Sequence, residues 1–201
     1  MSAPRLETCS AFAKLPFSSA PGRGVIALDR PAVALASVLT RKAQSAGLRR
    51  RVFEAFGLEL PEGPRYIAAR RVAFVGTGIG AWLALAEADD PEFSTALGRA
   101  LRPAAAVADQ SGAYAILRLS GPQVRSTLAK LLPLDLHPRV FEVGMAAATV
   151  AAHISIHLWR LADGPQTLPV FELAVPRSLS VSFWHALSES AAEFGFALSP
   201  G

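Results

Sequence analysis

The sequence predicts an α+β fold of two split β-α-β (ferredoxin-like) units with antiparallel sheets, packed as one globular body. Three observations predict it. Apolar residues alternate in some segments and recur every three or four positions in others. These segments run strand, helix, two strands, helix, a split β-α-β order. The same order then occurs a second time within the 201 residues. The units are placed at residues 31–110 and 111–201, behind an irregular arm at residues 1–30. A hydrophobic fraction of 51% with 18% charged residues excludes a disordered chain and is enough to bury a core.

The arm carries Pro4, Pro16, Pro21, Gly22 and Gly24 with little periodicity, so order there is expected to need a partner. "AVALASVLT" (32–40) is strand-like. After it, Leu48, Val52 and Phe56 lie at i, i+4 and i+8 on one face of a helix that stops before Gly57. "RRVAFV" and "GAWLALAE" are short apolar runs separated by Gly76, Gly78 and Gly80. In "DDPEFSTALGRAL", Asp90 reads as a helix cap and Pro91 as the first helical residue, with Phe93, Leu97, Ala100 and Leu101 forming the stripe.

In the second unit, "AYAILRLSG" (113–121) alternates Ala115, Leu117 and Leu119 against Tyr114, Ile116 and Arg118, the pattern of a half-buried strand. Pro122 starts a helix whose face is Val124, Leu128, Leu131 and Leu132. "MAAATVAAHISIHLWRL" is too long for one strand and reads as two antiparallel strands turning near Ala151 and Ala152. "VFELAV" (170–175) is a further strand. The last helix, about Ser178 to Phe194, has Phe183, Leu187, Ala191 and Phe194 on its stripe, and Ser178 or Ser180 as its cap.

Several short patterns could carry chemistry. "GTGIGA" (76–81) satisfies G-x-G-x-x-A, which in a dinucleotide site requires a helix starting at the second glycine and an acid on the next strand. Here Trp82 and Ala84 alternate with Leu83 and Leu85, and no acidic strand follows, so a hairpin is expected. His153 and His157 stand four apart, the spacing of H-E-x-x-H, but Ile154 holds the glutamate position. On a strand they share a face with Ser155, Trp159 and Leu161, and polar contacts at a subunit surface are expected. His137 and His185 have no clustered ligands. "RKAQSAGLRRR" (41–51) is basic, yet Glu54, Glu59 and Glu62 follow and no aromatics interleave to stack bases, so a solvated helix face, or salt bridges to an acidic partner, is expected. Asp89 and Asp90 are read at a helix cap and Asp109 before a turn at Gly112.

With Cys9 as the one cysteine, the sequence holds no intrachain disulfide and no multi-cysteine zinc site. "LETCSAFA" is too polar for the apolar core of an export signal, and a cytoplasmic location is expected. The longest uncharged stretch, Val143 to Trp159, falls short of the roughly 20 apolar residues of a membrane span.

"VADQSGAYAILRLSGPQVRSTLAKLLPLDLHPRVFEVG" (107–144), "ISIHLWRL", "FELAVPRSLSVSFWHALSESAAEFG" and the upstream "VFEAFGLELPEGPRYIAARRVAFVGTGIGAWLALAE" together resemble the gamma-subunit family of heterotetrameric sarcosine oxidases. The likeness spans about residues 33–195. It implies a fold related to the folate-binding aminomethyltransferase domain of the glycine-cleavage T-protein, and partnership with alpha, beta and delta subunits. In the family, beta carries FAD and covalent FMN, alpha carries NAD and a folate-binding region, and delta carries zinc. The complex oxidises sarcosine to glycine with O2, giving H2O2 and 5,10-methylenetetrahydrofolate or formaldehyde. The resemblance implies no cofactor, metal or catalytic residue on this chain. T-protein has an aspartate for the pterin in the strand matching "AHISIHLW", where Ser155 or Ile156 would stand here. A stand-alone folate-binding or one-carbon transfer protein is the alternative, and a basic RNA-binding module a third reading.

Overall fold

The computed structural model describes residues 10–12, 24–69, 71–87 and 90–199. Most of the proposed arm, Cys9 and the expected cap residue Asp89 lie outside them. The elements in chain order are β1 (Val25–Asp29), β2 (Ala34–Thr40), α1 (Ser45–Phe56), β3 (Tyr66–Ala69), β4 (Val72–Gly78), β5 (Ala81–Ala86), α2 (Phe93–Leu101), β6 (Ala105–Asp109), β7 (Tyr114–Ser120), α3 (Val124–Leu131), β8 (Ala146–Ala151), β9 (Ile154–Arg160), β10 (Val170–Pro176), α4 (Ser180–Ala191) and β11 (Phe196–Ser199).

They form two sheets, in the orders β3-β4-β5-β2-β6 and β11-β1-β7-β10-β9-β8. In each, the strand before the first helix sits between the strand after the second helix and the hairpin, which is the split β-α-β arrangement. The second sheet adds β1, which is antiparallel to β7 and parallel to β11. Residues 25–29 are therefore an inner strand, which corrects the reading of residues 1–30 as an irregular arm. Alternation explains it: Val25 and Ala27 are fully buried, but five residues among prolines and glycines give too short a pattern to read.

The layers run helix, sheet, sheet, helix. One core lies between the first sheet and α1 and α2, with Leu48, Val52, Phe74, Leu97 and Leu101. A second lies between the other sheet and α3 and α4, with Leu117, Leu128, Phe171, Phe183 and Leu187. The inner faces of the sheets meet over Leu35, Val75, Leu83, Leu85, Ile116 and Trp159. "AYAILRLSG" is accordingly buried on both faces, Leu117 and Leu119 towards the helices and Ile116 towards the facing sheet.

Local chemistry sets the helix ends. Gly57 closes α1 in the left-handed conformation (φ 68°), its N–H donating to the Phe53 carbonyl at 2.8 Å. Asp90 does serve the start of α2, accepting from the Glu92 N–H at 3.0 Å, but the helix begins at Phe93 rather than Pro91. No side chain caps α4. Ser180 Oγ donates to the Arg177 carbonyl at 2.9 Å, within a 3-10 turn that leads into the helix.

Candidate functional site

The most polar feature between the sheets centres on Glu172 of β10, which is 3% exposed. Cross-strand register puts it opposite Trp159 of β9 on one side and Arg118 of β7 on the other. Arg30 reaches the same point from the end of β1. Oε1 of Glu172 accepts from Arg30 Nη1 at 2.6 Å and from Arg118 Nε at 2.8 Å, and Arg118 Nη2 lies at 2.7 Å. Oε2 accepts from Trp159 Nε1 at 3.1 Å. Both carboxylate oxygens are thus engaged, as a buried charge requires. Arg30 also lies 3.4 Å from Glu87 at the end of the first sheet. Burial works most strongly against the Arg30 charge, but the Glu172 and Glu87 carboxylates together outweigh it and hold the guanidinium above its ordinary pKa. Tyr66 stacks on Trp159, the ring centroids 6.2 Å apart at 11°, and burial with the nearby Glu172 and Glu87 charges raises its hydroxyl pKa.

This arrangement ties strands and sheets together. A general base needs a free lone pair facing a substrate, whereas the lone pairs of Glu172 face two guanidiniums and an indole. The sequence shows Glu172 and Arg118 only as lone charges in apolar strands, with no local motif to mark either as a site residue. Their partnership spans 54 positions.

Gly76, Gly78 and Gly80 lie in a hairpin. β4 and β5 pair antiparallel, Gly78 faces Ala81 across the turn at Ile79 and Gly80, and a bulge falls between Gly76 and Gly78. Trp82 stands on the outgoing strand, its Nε1 donating to the Pro61 carbonyl at 3.1 Å. No helix begins at Gly78, so these glycines build no phosphate cradle. Only Gly80 of the three has a positive φ, 66°. Gly76 serves another purpose: a Cβ there would fall 2.2 Å from the Gly63 carbonyl oxygen.

The structure does not assemble the histidines. His153 is in the β8–β9 turn with φ 69°. His157 is half-buried against Tyr114, ring centroids 5.6 Å apart, with Nδ1 unpartnered and its pKa lowered by burial. The Nδ1 of His137 accepts from the Arg139 N–H at 3.3 Å, and His185 is exposed on α4. Among the described residues, no group of three potential metal ligands occurs. In the basic stretch, Arg49 pairs with Glu62 and Arg50 with Glu54, all at the surface. Asp109 accepts from the Ser111 N–H and hydroxyl. An open groove of 1180 Å³ lies on the helix side of the first sheet, between Phe56, Arg71, Val72 and Phe93.

A pterin-binding acid is missing from β9. Ile156 is 2% exposed and packs in the helix-side core, while Ser155 is exposed on the opposite face. The residues present at this strand do not fit folate.

A family model described as "Sarcosine oxidase, gamma subunit family" matches residues 41–193. A sarcosine oxidase subunit gamma from Corynebacterium sp. (strain P-1) is 35% identical over 113 residues, covering 55% of this chain and 55% of that relative's length. A chain of the heterotetrameric sarcosine oxidase from Corynebacterium sp. U-96, solved with pyrrole 2-carboxylate, superposes with a TM-score of 0.73 at 27% identity, covering 87% of both chains. The glycine cleavage aminomethyltransferase T from Bartonella henselae superposes at 0.63 with 14% identity, over 88% of this chain and 47% of that one, and shows the shared fold. With its two sheets in the aminomethyltransferase arrangement and a family match from α1 to the end of α4, the chain belongs to the sarcosine oxidase gamma subunit family.

Proposed function

We propose that this chain is the noncatalytic, structural gamma subunit of a heterotetrameric sarcosine oxidase. One observation carries the reading: the family match runs over residues 41–193, which hold α1 to α4 and most strands of both sheets, and the buried charged cluster between the sheets is consumed internally by Glu172, Arg30, Arg118 and Trp159. The complex oxidatively demethylates sarcosine to glycine with O2, yielding H2O2 and 5,10-methylenetetrahydrofolate or formaldehyde. FAD, FMN, NAD, zinc and tetrahydrofolate belong to the alpha, beta and delta subunits, and this chain acts in the cytoplasm by supporting their assembly.

Affinity purification of the tagged chain from its native cell, followed by a visible absorption spectrum, tests the reading. A yellow complex with three other subunits is expected; a colourless monomer would sink it. Titrating the isolated chain with tetrahydrofolate separates the stand-alone folate protein: no saturable binding is expected, and micromolar binding without partners would reverse the assignment.

A further inference from the structure

The outer edge of β8 is partly paired already, and the way that pairing stops is informative. The Ala146 N–H donates to the Pro64 carbonyl at 2.8 Å, the Tyr66 N–H donates to the Gly144 carbonyl at 2.7 Å, and Arg65 and Met145 form an antiparallel bridge. Residues 64–66 thus begin a ladder along β8. The ladder ends at once, because the Arg65 N–H turns back to the Gly63 carbonyl at 2.8 Å and Gly63 packs on Gly76. A cavity of 390 Å³ opens where the chain departs, lined by Gly63, Thr77, Ile79 and Ala146 to Ala148.

Backbone N–H groups of alternate strand residues point to the same side. Since that of Ala146 points outward, those of Ala148 and Val150 do too, and β8 ends the order of its sheet among the described residues. The edge is also unguarded. "AAATVA" has no charge, proline or bulge to deter pairing. Val150 is 44% exposed, and Ile79, on the cavity rim, is fully exposed. Glu62, which also borders the cavity, is taken up by Arg49.

We propose that an extended, uncharged segment of another subunit continues this ladder at Ala148 and Val150, adding a strand to β8 and placing an apolar side chain in the 390 Å³ cavity. The occupant is specified by what is unpaired: backbone groups call for a strand, and neutral walls call for an apolar side chain. A second copy of this chain fits less well, because its own β8 would bring only alanine, threonine and valine to fill the cavity. The inference rests on the subunit reading above.

Hydrogen exchange of the purified native complex, compared with the free chain, tests it. The Ala148 and Val150 amides are expected to exchange quickly in the free chain and at least about tenfold more slowly in the complex. Ala148→Pro removes an outward N–H and no bond to β9, and Val150→Lys charges the face. Both are expected to keep the wild-type far-UV spectrum while retaining at least about tenfold less of the other subunits. Val181→Lys, at a similarly exposed valine on α4, is expected to retain them fully. Retained subunits with unchanged amide exchange at 148 and 150 would overturn this proposal alone, as would a homodimer of the chain abolished by Ala148→Pro. A wild-type chain retaining no other subunit would overturn the subunit reading and this proposal with it.

Discussion

At the scale of single residues, burial makes Glu172 the most consequential charge on the described surface between the sheets. Removing one member of a buried ion pair leaves its partners charged and unpaired, at about 3–5 kcal/mol. Glu172→Ala is therefore expected to lower stability by about that amount in urea unfolding, and the additional replacement of Arg118 by Met to restore part of it. His157 gives a pH signature. Burial lowers its folded pKa below 6.5, so the unfolded chain takes up the proton first as pH falls. The stability it contributes is complete above that value, declines as pH drops through the window down to the folded pKa, and then levels off. Unfolding midpoints compared at about pH 7.5 and about pH 5.5 are expected to differ less in His157→Gln than in the wild type. The sequence displays the residues of this cluster without the contacts. The lone Glu in "VFELAV" has no partner within its own segment, and Arg118 and Arg30 come beside it from distant ones.

At the scale of elements, hairpin chemistry separates residues that look alike in the sequence. A Cβ at Gly76 meets the Gly63 carbonyl oxygen at 2.2 Å, whereas at Gly78 the nearest atom is Ala81 Cβ at 3.9 Å. Gly76→Ala is expected to destabilise by about 1–3 kcal/mol through overpacking. Gly80→Ala is expected to cost about 1–2 kcal/mol, because its φ of 66° is left-handed. Gly78→Ala should leave the unfolding free energy within about 0.5 kcal/mol of wild type. Were these glycines cradling a phosphate, the three would not divide in this way. The β8–β9 turn shows the opposite case: Ala152 and His153 have φ of 45° and 69°, where Asn-Gly is the preferred pair. Ala152→Asn with His153→Gly is expected to raise stability by about 1–2 kcal/mol, read as a higher midpoint in thermal unfolding. The position of that turn was legible from the length of the run, but its conformation was not, since neither residue favours positive φ.

At the scale of the whole molecule, β1 joins β11 to the rest of the second sheet. It lies between β7 and β11, and Gly121, with φ 124°, lets its neighbour approach so closely that a Cβ would fall 2.5 Å from the Gly24 carbonyl oxygen. Residues 10–12 are seated beside it. The Ser10 hydroxyl donates to Asp29, and Phe12, fully buried, packs on Trp184 with ring centroids 5.7 Å apart. Phe12→Ala is expected to cost about 3–5 kcal/mol, the range for emptying a buried aromatic site. Deleting residues 1–29 should yield insoluble protein rather than a trimmed domain, because it bares the edges of both β7 and β11. A soluble, cooperatively unfolding product of that deletion would show that β1 is dispensable.

The amino-acid order by itself determined the repeated strand-helix-strand pattern, the faces of α1, α3 and α4, and the hairpin nature of "GTGIGA". Each depends on neighbours within a few residues, where periodicity and turn chemistry act directly. Only the tertiary structure decided that both faces of β7 are buried, that β1 enters the second sheet, that Glu172 gathers Arg30, Arg118 and Trp159, and that β8 ends the order of its sheet among the described residues. These depend on contacts between segments far apart in the chain, and a strand's alternation says which residues share a face but not what that face will meet.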